Sequence, residues 1–322
     1  MDYRELGRTG WKVSAIGLGT WAMGSSWGAV DDRESLATLN RALDLGVNFF
    51  DTADVYGSEP LLGELRRRRS EPFYIATKLG VRINPDPKAY TRENITRFTE
   101  ESLRNLGVEA IDLMQLHVPP IEVYNPETFG YLDDLAAQGK IRHYGVSVET
   151  IEQALKAIEF PGVQSVQIIF NIFRQRPAED FFPEARRRGV GIIARVPLAS
   201  GLLTGKMSRE TTFSSDDHRS YNRNGESFDR GETFSGVDFE IGLTAVDELR
   251  AVVAPGVTMA ETALRWILMF DDVTCAIAGA RRPSQAEDNI GAADLPPLSA
   301  AAMAEIRAIY DRHIRPQVHH LW

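Results

Sequence analysis

Residues 73–117 contain a strand, a helix and a second strand in succession, read as FYIATK (73–78), TRENITRFTEESLRNL (91–106) and IDLMQLH (111–117). The two outer segments are short, apolar and rich in β-branched or aromatic residues, which is typical of strands that are covered on both faces. In the middle segment, apolar and small side chains recur at positions i, i+3, i+4 and i+7, and Thr91 is a suitable N-cap. The stretch therefore predicts a strand–helix–strand unit of a parallel sheet.

The same alternation continues along the rest of the chain. Further helix starts are indicated by capping residues at Asp31 with Glu34, Asn125 with Pro126, Thr258, and Ser299. Eight strand segments are predicted at residues 15–19, 47–51, 73–78, 111–117, 141–147, 164–171, 191–195 and 274–278. Eight strands with interleaved helices are typical of a closed (β/α)8 TIM barrel, an α/β fold. The length of 322 residues alone leaves one domain or two open, and this pattern predicts a single domain over residues 1–322.

An open, doubly wound sheet is the alternative architecture. GLGTWA (17–22) formally matches the G-x-G-x-x-A fingerprint of that fold after an apolar strand. The fingerprint needs a helix that begins inside the motif, whereas the first helical signal here waits until Asp31. Residues 20–30 are therefore predicted to be a loop at a strand end.

Composition excludes several classes of function. The formal net charge is −9, so nucleic acid and anionic membrane surfaces are unfavourable partners. Cys275 is the only cysteine, which excludes an intrachain disulfide or a thiolate zinc cluster, and no apolar run approaches the length of a membrane span. We expect a cytoplasmic protein. His319 and His320 lack partner ligands at metal-binding spacing, so we expect a solvated surface pair and no metal site.

Polar side chains end most of the predicted strands. Because the carboxyl ends of the strands form the active face of such a barrel, these side chains are expected to share one edge. They are Asp51, Lys78, His117, Ser147, Asn171 and Arg195.

Tyr56 follows Asp51 by five residues and is expected in a loop over the barrel mouth. A tyrosine there is most often a core residue, but a phenol beside a lysine is also a proton donor whose pKa the ammonium of Lys78 would lower. Asp51 would hold Lys78 charged, and His117 would position a carbonyl oxygen.

The chain resembles the aldo-keto reductases over nearly its whole length. The motifs that carry the resemblance are YRELGRTG (3–10), IGLGTW (16–21), FFDTADVYG (49–57), ATK (76–78), IDLMQLH (111–117), GVS (145–147), PLASGLLTGK (197–206) and GAR (279–281). The resemblance implies a barrel closed at its bottom by an N-terminal β-hairpin over residues 3–13, with long loops at the C-terminal face. It also implies a catalytic tetrad of Asp51, Tyr56, Lys78 and His117.

By the same resemblance, the reaction is hydride transfer between NADP(H) and a small aldehyde or ketone, with Tyr56 as general acid/base. Substrate would contact Trp21, Tyr56 and His117. The implied cofactor-binding residues are Gly19, Thr20, Trp21, Asp51, Ser147, Gln167, Asn171, Arg195, Pro197, Leu198, Ser200, Gly201, Leu203, Lys206, Gly279, Arg281, Arg282, Gln285, Asp288 and Asn289. NADP is favoured over NAD because Arg281 and Arg282 precede a helix start at Pro283, where a phosphate is attracted.

Three positions depart from the family pattern. Arg195 stands where many members carry an aromatic residue that stacks on the nicotinamide, Val148 where asparagine is common, and Asp288 where glutamate is more frequent. A guanidinium can also stack on a ring, so we expect cofactor binding to survive. The polar loop 207–236 follows the seventh barrel strand and is expected to fold over bound cofactor as a clasp.

Two other functions stay open on the sequence. One is a sugar or polyol dehydrogenase that runs in the oxidative direction, and the other is a slow-turnover, NADP-binding regulatory module. Assembly into a homo-oligomer is also open. Trp21, Trp27 and Trp322 are candidates to line a substrate pocket, with Trp21 favoured because it follows the first strand. For Trp322, a disordered end of the chain is the open alternative.

Overall fold

The computed structural model describes residues 1–24 and 31–322. Its strands are β1 (Tyr3–Glu5), β2 (Lys12–Ser14), β3 (Ile16–Gly19), β4 (Phe49–Asp51), β5 (Tyr74–Leu79), β6 (Ile111–His117), β7 (Ile141–Ser147), β8 (Val163–Ile169), β9 (Gly191–Arg195) and β10 (Val273–Gly279). Strands β1 and β2 form an antiparallel hairpin. The other eight strands form a closed barrel in the order β10-β3-β4-β5-β6-β7-β8-β9, with parallel pairing throughout.

The (β/α)8 TIM barrel with an N-terminal hairpin is thus confirmed. Three predicted strands, 111–117, 141–147 and 191–195, have the predicted bounds, and most other ends shift by one or two residues. Strand β8 ends at Ile169, so Asn171 lies beyond it, paired across a tight turn with Arg174. The single-domain organisation over residues 1–322 stays a prediction.

Helices follow the strands as the capping residues indicate. Thr91, Asn125, Thr258 and Ser299 each accept a hydrogen bond from the first turn of their helix. The predicted box of Asp31 with Glu34 is wrong in part, because Asp31 accepts from Arg33 N and caps the helix without a reciprocal bond from Glu34. The helices are α1 (Asp32–Asp44), α2 (Glu59–Arg68), α3 (Arg92–Leu106), α4 (Pro126–Ala137), α5 (Ile151–Ala157), α6 (Arg176–Asp180), α7 (Phe182–Arg188), α8 (His218–Tyr221), α9 (Phe239–Leu249), α10 (Met259–Leu268), α11 (Pro283–Gly291), α12 (Ala300–Ile309) and α13 (Arg315–Val318).

Two apolar cores hold the molecule together. The larger core lies between the outer face of the barrel and the helices and includes Phe50, Met114 and Leu116. The smaller core fills the barrel interior at its amino end, where hairpin residues pack on inward-facing side chains. It comprises Leu6, Val13, Phe49, Ala76, Leu113, Ile193, Cys275 and Ile277, flanked by Trp11 and Tyr74. The hairpin therefore closes the bottom of the barrel, as the family resemblance implies.

The interior changes character along each strand. Side chains two residues apart face the same side of a strand, so Phe49 is followed inside the barrel by Asp51, and Ala76 by Lys78. The same step leads from Leu113 to Gln115 and His117, from Ser165 to Gln167, and from Ile193 to Arg195. The interior is thus apolar at the closed amino end and polar at the open carboxyl end, where the candidate site lies.

In the described ranges 1–24 and 31–322, none of the helices is both long and apolar enough to cross a membrane. The cytoplasmic location remains a prediction.

The contact between hairpin and barrel can be tested at Gly7. Gly7 has φ +54°, and an added Cβ would lie 2.4 Å from the carbonyl oxygen of Gln164 and 2.6 Å from the nitrogen of Gly191. We expect Gly7→Ala to lower the free energy of unfolding by about 3 kcal/mol, because backbone must move. Gly10→Ala is the matched control: its φ is +75° but its Cβ would meet nothing within 4 Å. We expect Gly10→Ala to lower the free energy of unfolding by only about 1 kcal/mol, with both variants measured by urea titration. Equal losses in the two variants would exclude the clash as the cause.

Candidate active site

A buried carboxylate joins several strands at the carboxyl end of the barrel. Asp51, at the end of β4, accepts from Lys78 Nζ at 2.5 Å through one oxygen and from Gln167 Nε2 at 2.7 Å through the other. Lys78 also donates to the carbonyl oxygen of Thr52 at 2.7 Å, and its side chain is 1% exposed. Gln115 Nε2 approaches Asp51 at 3.4 Å. A buried ion pair of this kind is held by the strands around it and cannot relax into water.

Tyr56 and His117 stand above this ion pair and are half-exposed at the mouth. Their ring centroids are 5.8 Å apart, edge to face, and Lys78 Nζ lies 5.0 Å from the centroid of the Tyr56 ring. Gly24 allows this arrangement, since a Cβ there would lie 1.9 Å from the carbonyl oxygen of Tyr56. The four residues of the predicted tetrad therefore meet at one place.

The pKa of Tyr56 is shifted in the direction opposite to the one expected from the sequence. Burial, followed by the negative charge of Asp51, raises the pKa of Tyr56 well above 10, so the expectation that Lys78 lowers this pKa is wrong. Burial lowers the pKa of Lys78, while Asp51 opposes that effect. Burial, then Lys78 and Arg195, keep the pKa of His117 well below 6.5, so the imidazole is neutral at pH 7.

Aromatic side chains from two loops line one wall of the mouth. Trp21 begins a short 3₁₀ turn, Trp21–Met23, directly after β3, and its ring lies 6.0 Å from that of Tyr56. His218 and Phe228 of the loop 207–236 lie 4.9 and 6.3 Å from Trp21. Sequence reasoning missed both residues, because an irregular loop has no period from which a contact can be inferred.

Arg195 does not lie free to stack on a ring. Its Nη1 donates to Glu232 of the loop 207–236, and its Nη2 donates to the carbonyl oxygen of Val148 at 2.8 Å. Its buried Nε has no hydrogen-bond partner among the described residues. Two of the three family departures, Arg195 and Val148, are therefore in contact, and Glu232 joins them as a site residue that the sequence did not reveal.

Other predicted cofactor residues make bonds within the protein. Thr20 is fully buried and its hydroxyl bonds the Asp51 carbonyl at 2.9 Å and Ser58 at 2.7 Å. Ser147 lies 3.4 Å from Gln167, and Asn171 donates to Val196 O and to Ser235 Oγ, both at 2.8 Å. Only part of this set thus faces the open mouth.

The segment after β9 forms a tight turn. Pro197 and Leu198 lead into a 3₁₀ segment, Ala199–Thr204, in which Ala199, Ser200 and Gly201 have φ of +48°, +54° and +93°. Leu203 is buried and Lys206 is exposed. Successive residues of this conformation form the concave backbone that anions favour.

The far end of the predicted cofactor site lies around the start of α11. Gln285 accepts from the backbone nitrogens of Arg281 and Arg282 at 2.8 and 3.3 Å, and Asn289 donates to the carbonyl of Gly279 at 3.1 Å. Arg281 is half-buried, while Arg282 and Asp288 are exposed. The polar side chains that fix this helix start, Gln285 and Asn289, are among the cofactor-binding residues that the family resemblance implies.

The loop 207–236 is tied to the barrel at several points. Arg174 donates to the carbonyl of Ser235 at 3.0 Å and lies with its guanidinium 3.8 Å from the Trp322 ring centroid. Trp322 donates from Nε1 to Asp229 at 3.2 Å and is 8% exposed. Of the alternatives left open for Trp322, disorder does not hold, because the loop and Arg174 enclose its ring.

The histidine pair is only partly solvated. His320 is exposed, but His319 bonds the Tyr310 hydroxyl through Nδ1 at 2.8 Å. Within residues 1–24 and 31–322, no group of three or more His, Cys, Asp or Glu side chains is arranged to hold a metal ion. Trp27, considered as a pocket residue, lies outside the described residues.

Comparison with known proteins agrees with this geometry. A family model described as the aldo/keto reductase family matches residues 15–311. The chain belongs to the aldo/keto reductase family. It is 33% identical to the aldo-keto reductase YhdN of Bacillus subtilis, over 89% of this chain and 87% of that protein. It is 30% identical to a probable voltage-gated potassium channel subunit beta of Arabidopsis thaliana, over 92% and 93% of the two chains.

A solved aldo/keto reductase has the same architecture. The glycerol dehydrogenase AKR11B4 from Gluconobacter oxydans superimposes with a TM-score of 0.80 at 32% identity, covering 97% of this chain and 96% of that one. Aldo/keto reductases use nicotinamide cofactors and act as oxidoreductases. The sequence resemblance to the family is thereby confirmed.

A carboxyl near this mouth has an unusual pKa that can be tested. Burial, followed by the charges of Asp229 and Glu232, raises the pKa of Glu149 from 4.5 to about 8. A raised carboxyl pKa means that ionisation opposes folding, so stability is lost as pH rises from 4.5 to 8. We expect the free energy of unfolding of Glu149→Gln, relative to that of the wild type, to increase by roughly 1.4 kcal/mol per pH unit between pH 4.5 and 8. Above pH 8 the difference should stay constant.

The measurement is denaturant unfolding of both proteins from pH 5 to pH 9. Glu152→Gln is the matched control, since it removes the same charge from an exposed residue three positions along. Its difference from the wild type should not vary with pH between 5 and 9. If the difference in unfolding free energy between Glu149→Gln and the wild type is also independent of pH, the Glu149 carboxyl is already ionised at pH 5.

Proposed function

We propose that this protein is an NADP(H)-dependent oxidoreductase that interconverts small aldehydes or ketones and their alcohols. The observation that carries the proposal is the meeting of Tyr56 and His117 at the open mouth, directly above the buried pair of Lys78 and Asp51. A carbonyl oxygen in the mouth would have a phenol and a neutral imidazole as its two hydrogen-bond donors. No other use of these four residue types together fits a site of this shape as well.

Tyr56 is the proton donor in the proposed reduction. Its raised pKa keeps the phenol protonated at pH 7, which is the form that gives a proton to a developing alkoxide. As the phenol loses its proton, the ammonium of Lys78 against its ring stabilises the negative charge. Asp51 fixes the ammonium in place, and neutral His117 orients the carbonyl oxygen without repelling Lys78.

The mouth fits a nicotinamide cofactor. A bound reduced nicotinamide supplies the hydride. Gly19 and Gly279 end adjacent strands, and a Cβ added at either would meet other atoms only at ordinary van der Waals distances of 3.8 and 4.0 Å, so protein atoms do not crowd these strand ends. The buried Nε of Arg195 is an unused donor at the same rim. The positive-φ turn at 199–201 would hold the pyrophosphate.

NADP is proposed over NAD because of the far end of the site. Arg281 and Arg282 flank the start of α11, where backbone nitrogens and the helix dipole favour a phosphate. Gln285 accepts from the backbone nitrogens of both arginines, so their backbone is fixed at the helix start.

Substrate is proposed to contact Trp21, Tyr56 and His117. The alternative direction, oxidation of a sugar or polyol, is supported by the similarity to a glycerol dehydrogenase. A slow-turnover, cofactor-binding regulatory module is supported by the similarity to a probable channel subunit. Because all four residues of the tetrad are present, an enzyme that turns over substrate is favoured over a protein that only binds cofactor.

The proton-donor role is tested with Tyr56→Phe. We expect turnover of a panel of aldehydes, ketones and polyols, followed at 340 nm, to fall at least about 100-fold, because general acid catalysis supplies that much. Binding of NADPH, measured by fluorescence titration, should change less than about threefold. Unchanged turnover in Tyr56→Phe would rule out the assignment, and absence of turnover in the wild type with intact cofactor binding would favour the regulatory module.

The cofactor preference is tested with Arg281→Ala. If Arg281 contacts the extra phosphate of NADP, the Kd of NADPH should rise at least about tenfold, as expected for loss of a charge-assisted contact. The Kd of NADH, which lacks that phosphate, should change by less than about threefold. Equal weakening of both cofactors would place Arg281 elsewhere in the site.

A further inference from the structure

A carboxylate from the long loop neutralises a cation at the rim of the barrel. Arg195 donates to Glu232, and the two side chains are 9% and 14% exposed. Water therefore screens this pair poorly, and each of the two charges acts strongly on any third charge nearby. Loss of either partner would leave a single, nearly bare charge at the mouth.

The pair lies within electrostatic reach of the reacting groups. Burial and Asp51 dominate the pKa of Tyr56; beyond them Glu232 raises it and Arg195 lowers it. Both charges also act on Lys78, again with opposite sign, after burial and Asp51. With the pair intact, the effects of the two charges have opposite signs and offset each other at the place where the reaction is proposed to occur.

The charge of the cofactor makes this cancellation matter. A nicotinamide ring is cationic when oxidised and neutral when reduced. In the family pattern an aromatic, uncharged side chain commonly stands at the position of Arg195, and such a side chain needs no neutralising partner. Here a guanidinium stands there, and the loop supplies a carboxylate that contacts it.

We propose that Glu232 is a specificity-determining residue: by neutralising Arg195, it sets the preference of the site between the oxidised and the reduced form of the cofactor. With Glu232 ionised, the site accepts the cationic, oxidised ring about as readily as the neutral, reduced one. Without it, Arg195 repels the oxidised ring and leaves binding of the reduced ring largely unchanged. The inference rests on the proposed function, since it requires that Arg195 belongs to a nicotinamide site.

The backbone around Glu232 is fixed, so the carboxylate is a permanent part of the site. Ser200 Oγ donates to the Glu232 carbonyl at 2.8 Å and accepts from Phe234 N at 3.2 Å. On one side Asp229 accepts from Trp322, and on the other Ser235 is held by Asn171. Glu232 thus lies between two anchored residues and is presented to Arg195 by the fold.

The test compares two substitutions that unbalance the pair in opposite directions. In Glu232→Gln an uncompensated cation remains, and we expect the ratio of Kd for NADP⁺ to Kd for NADPH to rise about tenfold, the size of effect that one charge at close range produces. In Arg195→Gln an uncompensated anion remains, and the same ratio should fall about tenfold. The double variant should return to within about threefold of the wild type.

Both constants come from equilibrium binding: NADPH by its own fluorescence, and NADP⁺ by displacement of bound NADPH. Glu226→Gln is the matched control, because it removes the same charge from an exposed residue of the same loop and should leave the ratio unchanged. A purely structural role for the pair would weaken both cofactors alike in both single variants, and that result would overturn the inference.

Failure of the inference and failure of the proposed function give different results. If the wild type binds neither NADPH nor NADP⁺, the proposed function is wrong, and the inference fails with it. If it binds both but the ratio stays constant or moves in the same direction in the two single variants, only the inference is wrong.

Discussion

The carboxylate of Asp51 is the constraint on which the active end of the barrel depends. It accepts from side chains of β5 and β8 and is approached by one from β6, so four strands including its own meet at one buried charge. Removing any donor would leave part of a buried anion unsatisfied, which is far more costly than losing a surface contact. The residues that prepare the chemistry therefore also hold the strand ends together.

Sequence alone was sufficient for the barrel and for four of the six polar residues placed at its strand ends. Lys78 comes one residue before the end of β5, and Asn171 lies two residues beyond β8. Strands such as 111–117 are continuous apolar runs closed by a polar residue, and the inward alternation that brings Leu113, Gln115 and His117 to one face follows from the pleat. Gln115 could have been found by this alternation, since a polar residue two positions before His117 must also point inward. Thr52 could not, because it contributes a backbone carbonyl that any residue type provides.

The rest of the site was hidden for physical reasons. His218, Phe228 and Glu232 come from an irregular loop whose path is set by tertiary contacts and leaves no periodic trace. The direction of the pKa shift of Tyr56 was not anticipated, because burial is its largest cause and the charge of Asp51 its second, and the burial of this ring is visible only in the structure. The place of Trp322 stayed open because a terminal position says nothing about the guanidinium that packs on its ring.

The bonds from Asn171 and Arg174 to Ser235 have a consequence for how such barrels diversify. These two residues belong to the turn after β8, whereas Ser235 lies near the end of the long loop that follows β9. A different loop after β9 would remove the acceptor at Ser235 from both the amide of Asn171, which would keep only the carbonyl of Val196, and the buried guanidinium of Arg174. Transfer of this loop between related barrels, in evolution or by recombination, must therefore carry the preceding turn with it, so that the exchangeable module spans two adjacent strand ends.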